Sequence, residues 1–191
     1  MNIGFDLDDV LLDFMNSLIP YHNNVFGTNN EREHFKNNDI ASIWSCTKEE
    51  EIQRVFDFFA SPEHLQASPI PGAVEGIRNL KEHHNLSVIT ARPEELKEKT
   101  IEWLEKHYAN MFDGIYFTNQ YHGSGPKRSK GEICHELGVN IFVDDILENA
   151  EDVVSFGIPV LLFDKPWNQA EVRSPITRVR SWEEIMKILS Q

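Results

Sequence analysis

A chain of 191 residues that is 40% hydrophobic is long enough for one well-buried domain with an insertion and too apolar to be disordered. Its 31 acidic residues outweigh 18 basic ones, a formal net charge of -13, which argues against polymeric nucleic acid as a partner but leaves room for a small phosphorylated ligand held by a few local cations. Cys46 and Cys134 form neither a Cys-x-x-Cys pair nor a disulfide framework, no apolar run has membrane-spanning length, and the N-terminus has no signal-peptide pattern, so a cytoplasmic protein with no membrane partner is expected.

The apolar run at residues 3–5 predicts a short buried strand, and Asp6, Asp8 and Asp9 follow it before apolar residues resume at Val10. Like charges clustered at the end of a core strand repel one another and lose solvation, so they need a cation or donors. Hard divalent cations take carboxylate oxygens. The plainer reading is an acidic strand-to-helix turn with an aspartate capping the next helix.

Residues 13–26 predict a helix interrupted or bent near Pro20, residues 27–38 a polar loop, and residues 40–44 an apolar island. Thr47 and Glu50 have capping-box spacing and open a helix through Ile52, Val55, Phe56 and Phe59 that Ser61-Pro62 ends. Residues 14–69 therefore read as a small helical insertion after the first strand, set into a core made of residues 1–13 and 70–191. Pro71 suits the first turn of a helix through Val74, Ile77 and Leu80. Beyond it, strands at 86–90, 114–118, 141–143 and 158–163 alternate with helices at 93–108, 129–137, 148–156 and 181–189. Gly138 and Gly157 serve as C-caps, and Ser181 and Glu184 repeat the capping-box spacing.

This alternation predicts an α/β fold, a doubly wound, Rossmann-like parallel sheet of five strands covered on both faces. In open sheets of this kind ligands bind beyond the carboxyl ends of the strands, which brings Asp6, Asp8, Thr90, Asp144 and Asp145 to one edge. Four carboxylates there cannot all stay ionised without compensation. Mg²⁺ would resolve the conflict, being held typically by one or two carboxylates, waters and a substrate phosphate. Lys127, Arg128 and Lys130, just ahead of a helix, offer positive charge for that phosphate. Lys127 and Arg128 also read as a solvated loop; Lys130 is preferred as the phosphate-binding lysine, with Lys127 the alternative.

Asp6-Leu7-Asp8-Asp9-Val10, Ile89-Thr90-Ala91, Lys130 and Val143-Asp144-Asp145, in this order and at these strand ends, resemble the four motifs of the haloacid-dehalogenase-like (HAD) hydrolases. Within that superfamily the chain is most similar to the 5'(3')-deoxyribonucleotidase / 5'-nucleotidase-like family, through Leu11-Leu12-Asp13-Phe14, Pro69-Ile70-Pro71-Gly72-Ala73-Val74 and Ser181-Trp182. The resemblance implies a HAD-like core with a helical cap. It also implies a Mg²⁺-dependent phosphomonoesterase acting on (deoxy)nucleoside monophosphates through an aspartyl phosphate. It makes Asp6 the nucleophile and Asp8 the acid/base, with Thr90 and Lys130 on phosphoryl oxygens. It places Mg²⁺ at Asp6, the backbone carbonyl of Asp8 and Asp144, with Asp145 nearby. It puts Phe14 at the base-stacking position with Trp44 facing it across a nucleobase, and Ala91 and Arg92 beside the substrate.

Two departures bear on substrate choice. Ala91 stands where the family commonly has a second hydroxyl, and Ile146-Leu147 where it often has Arg-Pro or Ser-Pro. On the residues alone, Phe14 and Trp44 also read as packing positions, and Arg92 as an exposed arginine at a helix start. A phosphatase of another small metabolite, such as a sugar phosphate, and a non-catalytic phospholigand- or partner-binding protein remain alternatives. A homodimer is left open.

Overall fold

The computed structural model describes residues 1–37 and 39–190. Strand β1 (Asn2–Phe5) runs into the turn that carries the acidic cluster. That turn is tight: the Leu11 and Leu12 N–H groups both donate to Leu7 O at 2.9 Å, and Asp9 takes a φ of 56°. From this left-handed position the Asp9 carboxylate accepts from Met15 N at 3.1 Å, in the first turn of the next helix, so an aspartate of the cluster does cap that helix.

Four helices follow, α1 (Phe14–Phe26), α2 (Ile40–Ile43), α3 (Lys48–Ala60) and α4 (Pro62–Gln66), with a 3₁₀ turn at Arg32–His34. Of the interruption or bend expected near Pro20, the interruption does not occur: α1 continues through Pro20, which is exposed. The apolar island proves to be the short helix α2. The capping box of α3 forms, Glu50 N donating to Thr47 Oγ1 at 3.2 Å and Thr47 N to Glu50 Oε2 at 2.9 Å. Pro62 ends α3 and also starts α4, where its missing N–H costs nothing. Met15, Leu18, Phe35, Trp44, Val55, Phe58 and Phe59 give these helices an apolar cluster of their own.

Chain entry to and exit from this helical layer are tied together. Ile70 N donates to Leu11 O at 2.8 Å and Asp13 N to Ser68 O at 2.9 Å. Three side chains from the helices beyond pin the same crossing: Trp182 Nε1 donates to Val10 O and Trp103 Nε1 to Ala67 O, both at 2.9 Å, and Tyr108 Oη to Leu11 O at 3.0 Å.

The remainder alternates as expected: α5 (Ala73–Lys81), β2 (Asn85–Thr90), α6 (Lys97–Tyr108), β3 (Gly114–Phe117), α7 (Lys130–Glu136), β4 (Ile141–Asp144), α8 (Leu147–Ser155), β5 (Val160–Phe163), β6 (Ile176–Val179) and α9 (Trp182–Leu189). All strand pairs are parallel, in the order β3-β2-β1-β4-β5-β6. The sheet has six strands rather than five. The sixth, Ile-Thr-Arg-Val, is a short edge strand whose alternation is too brief and too polar to stand out from a loop.

Phe5, Val143 and Leu161 face α5, α6 and α9 in one apolar cluster, while Phe142, Val160 and Leu162 face α7 and α8 in another. Gly4 is needed for this packing, since a Cβ there would lie 2.7 Å from the Phe142 ring. Two further boundaries and one cap differ. Pro71 precedes α5, whose N-cap is Gly72 at φ 84°. Residues 94–96 form a 3₁₀ turn ahead of α6. Only half of the box at α9 forms, because Glu184 turns its carboxylate to Arg180 N at 2.8 Å. Among the described residues no helix is long and apolar enough to cross a membrane.

Candidate active site

Strand order reverses between β1 and β4, and the carboxyl ends of those strands are where this topology leaves a crevice. Asp6 follows β1, Asp144 ends β4 with Asp145 next to it, and Thr90 ends β2. Asp6, Asp144 and Asp145 are all buried, and each brings a carboxylate oxygen within 4.8 Å of the others. The fully buried Lys130, at the first turn of α7, sets its Nζ 2.8 Å from Asp6 Oδ1 and 2.7 Å from Asp144 Oδ2. The Ser129 cap, which accepts from Glu132 N at 3.1 Å, fixes the start of that helix and so the lysine's placement.

The charges do not balance. Burial, with Asp144 and Asp8 adding to it, pushes the Asp6 carboxyl up to about 7 despite Lys130. Burial, then Asp144, Asp6 and Asp9, raise Asp145 well above the carboxylate range. Burial works against the Lys130 ammonium, but Asp144 and Asp6 together hold its pKa above its usual value. One lysine among three buried carboxylates leaves an excess of negative charge on hard oxygen donors, and that donor set fits a divalent cation.

Surrounding groups orient these carboxylates. Asp144 Oδ1 accepts from Ile146 N at 2.8 Å and Asn149 Nδ2 at 3.3 Å. Asp145 Oδ2 accepts from Trp167 Nε1 at 2.8 Å. Arg32, from the helical layer, lies over the Trp167 ring at 5.1 Å and pairs with Asp9 at 2.7 Å and Asp13 at 3.2 Å. Burial raises Asp9 to about 6, against the pull of Arg32. Sequence reasoning missed Arg32, Asn149 and Trp167, because nothing in their local patterns marks them.

Arg92 departs most from expectation. Read from the residues as an exposed helix-start arginine, it is 2% exposed. Its Nε donates to Asp8 Oδ2 at 2.9 Å and its Nη2 to Asp8 Oδ1 at 2.6 Å. Its backbone N–H donates to the buried Thr90 Oγ1 at 3.2 Å. Ala91 lines the crevice and presents no side-chain donor.

The crevice opens as a cavity of about 390 Å³ walled by Asp6, Asp8, Phe14, Phe35, Phe59, Tyr121 and Trp167 among others, and Lys48 and Glu51 also line it. Phe14 stacks on Phe59, centroids 5.5 Å apart. Trp44 is not among the lining residues: it is buried against His22, ring centroids 3.9 Å apart and 10° from parallel, so it does not face Phe14 across the cavity. Lys127 is exposed on the loop before α7, away from the carboxylates that Lys130 meets.

The family model described as "5' nucleotidase, deoxy (Pyrimidine), cytosolic type C protein" matches residues 1–191. The curated protein named "Putative nucleotidase YqfW", from Bacillus subtilis, is 27% identical over 98% of this chain and 92% of its own length. The nucleotidase CA_C3379 of Clostridium acetobutylicum is 22% identical over 100% of this chain and 94% of its own. Among solved structures, the haloacid dehalogenase-like family hydrolase SP0104 from Streptococcus pneumoniae superposes with a TM-score of 0.71 at 17% identity, covering 98% of this chain and 97% of that one. The HAD-hydrolase structure YfnB from Bacillus subtilis gives 0.69 at 15% identity, covering 100% and 98%.

Proposed function

Because the chain belongs to the 5' nucleotidase, deoxy (Pyrimidine), cytosolic type C family, and is thereby a HAD-type hydrolase of phosphoric monoesters, we propose that it hydrolyses (deoxy)nucleoside monophosphates in a Mg²⁺-dependent reaction through an aspartyl phosphate on Asp6. The observation that carries this reading is that Asp6, paired with the buried Lys130 at 2.8 Å, lines the cavity together with Asp8 two residues away. Lys130 takes Asp6 Oδ1 and leaves Oδ2 to attack phosphorus.

As that bond forms and the ester P–O bond breaks, the Asp8 carboxyl gives its proton to the leaving alkoxide oxygen. A water then loses a proton to the Asp8 carboxylate as its oxygen attacks phosphorus and the Asp6–P bond breaks, returning free Asp6, protonated Asp8 and phosphate. The Thr90 hydroxyl, with a lone pair occupied by Arg92 N–H, keeps its proton for a phosphoryl oxygen, and Lys130 supplies positive charge to another. Asp6, Asp144 and Asp145, with the backbone carbonyl of Asp8, would hold Mg²⁺, the ion to which the YfnB structure is bound, and when bound the ion would supply further positive charge against the phosphoryl oxygens.

Helices α1–α4, over residues 14–69, act as the cap, and the rings of Phe14, Phe35 and Phe59 form the apolar wall on which a flat base rests. The test is a panel of nucleoside monophosphates, sugar phosphates and 4-nitrophenyl phosphate with Mg²⁺ or excess chelator. Nucleotides should be the best alkyl esters and chelation should abolish turnover. Better turnover of sugar phosphates would overturn the substrate assignment, and activity on metal-free protein in chelator would overturn the metal assignment.

A further inference from the structure

An acid/base aspartate works only if one carboxyl oxygen is held on line with the leaving-group oxygen, yet Asp8 sits on a turn with its side chain 26% exposed, where a carboxylate rotates freely. Arg92 removes that freedom. Its Nε and Nη2 make two parallel hydrogen bonds, 2.9 and 2.6 Å, one to each Asp8 oxygen, and so fix the plane of the group. A two-point fork takes one lone pair from each oxygen and leaves the other for a proton.

The fork is itself held. Arg92 Nη1 donates to Thr100 Oγ1 at 3.0 Å, on α6, and the guanidinium lies 4.5 Å from the centroid of Phe59, on α3. Both Thr100 and Arg92 are buried, so neither has the conformational freedom of a surface side chain. The Arg92 backbone N–H meanwhile orients Thr90 Oγ1. A single residue thus ties the proton donor, a phosphoryl-oxygen donor, the sheet and a helix of the cap layer into one unit.

We propose that Arg92 is the positioning residue of the acid/base: the Arg92 fork, rather than its charge or any contact with substrate, sets Asp8 for proton transfer to the leaving oxygen. The inference rests on the functional reading above. It predicts selectivity by leaving group. The alkoxide of a nucleoside 5'-monophosphate needs a proton as it departs, whereas 4-nitrophenolate is stable without one. kcat/KM reports the steps through leaving-group release, so it isolates this proton transfer from the later attack of water.

The experiment measures kcat and KM of R92Q, R92K and D8N on a nucleoside 5'-monophosphate and on 4-nitrophenyl phosphate, with Mg²⁺ present and melting curves as a check on folding. R92Q should lose about 10²-fold in kcat/KM on the nucleotide, within the range of a misplaced acid, and only a few-fold on the aryl ester. R92K keeps the charge but not the fork and should show the same selective loss; it also decides the question if R92Q does not fold. Full activity of R92K on the nucleotide, or equal losses of kcat/KM on both esters, would each overturn the inference. D8N should show the selective pattern most strongly. If D8N shows it and both Arg92 variants do not, the inference alone falls; if D8N hydrolyses the nucleotide like the unchanged protein, the assignment of Asp8 falls and the inference with it.

Discussion

Lys130 and His64 are both fully buried and ionisable, but they place opposite demands on the fold. Lys130 must stay charged, because Asp6 and Asp144 lie within hydrogen-bond reach. Lys130→Met leaves buried carboxylates without their nearest cation, and such broken pairs typically cost about 3–5 kcal/mol. The expected outcome is that loss in chelator, recovered in part on adding Mg²⁺, read from denaturant melts of both proteins. His64 must stay neutral. Its ring stands edge-on to Phe58 and Phe59, centroids 5.7 and 5.2 Å away, with no hydrogen-bond partner for either nitrogen among the described residues. Burial, helped by Arg92, pushes it from 6.5 down to about 3. The folded state therefore refuses a proton that the unfolded chain accepts below 6.5, so this contribution is intact above that pH and is lost as pH falls toward 3. Between pH 7 and 5 the stability difference between the unchanged protein and His64→Leu should shift by about 2 kcal/mol in favour of the variant. A difference that does not vary with pH in urea melts would show that His64 is not the group responsible.

At the scale of elements, α1 and α3 give Phe14 and Trp44 different neighbours, and truncating each should have a different effect. Phe14 lines the cavity, so Phe14→Ala should impair use of nucleotides more than of a small aryl phosphate. Trp44 is 4% exposed against His22, so Trp44→Ala should cost about 3–5 kcal/mol of stability and reduce both activities together. Relative kcat/KM on the two esters, set beside melting curves, separates these outcomes.

The contrast also shows what the sequence could carry. Strand-end positions of Asp6, Thr90, Asp144 and Asp145 were legible because period, punctuation and topology are local or nearly so. The orientation of Trp44 was not, since a lone aromatic in an apolar island gives no phase for a four-residue helix. Arg92 was misread for a similar reason: its fork is formed with a residue 84 positions away. β6 was missed because Thr177 and Arg178 break its apolar run, and its pairing partner β5 is what makes it a strand.

For the molecule as a whole, the excess of buried negative charge at the carboxyl edge of the sheet sets a condition on stability. A ligand that binds only the folded state raises stability by mass action, about 2.7 kcal/mol at a hundred times its Kd. Thermal melts should therefore move upward with millimolar Mg²⁺ and return on chelation, and Asp145→Asn should shrink the response. An equal shift in both proteins would place the ion elsewhere.

The paired crossing between the two layers has a mechanical consequence. Two antiparallel segments bonded to each other and pinned from beneath by Trp103, Tyr108 and Trp182 behave as a stiff two-ply ribbon rather than as a pair of loose tethers. A swing of the upper helices would have to bend the chain outside that ribbon, beyond Asp13 and before Ala67. Asp6 and Asp8 sit on the fixed side of that bend, as does Arg92. Phe59 lies beyond it, so a swing would carry its ring away from the Arg92 guanidinium while Asp6 and Asp8 kept their places. Arg32 rides there too, and a wide swing would have to part it from Asp9 and Asp13, two ion pairs that act as the catch on the door.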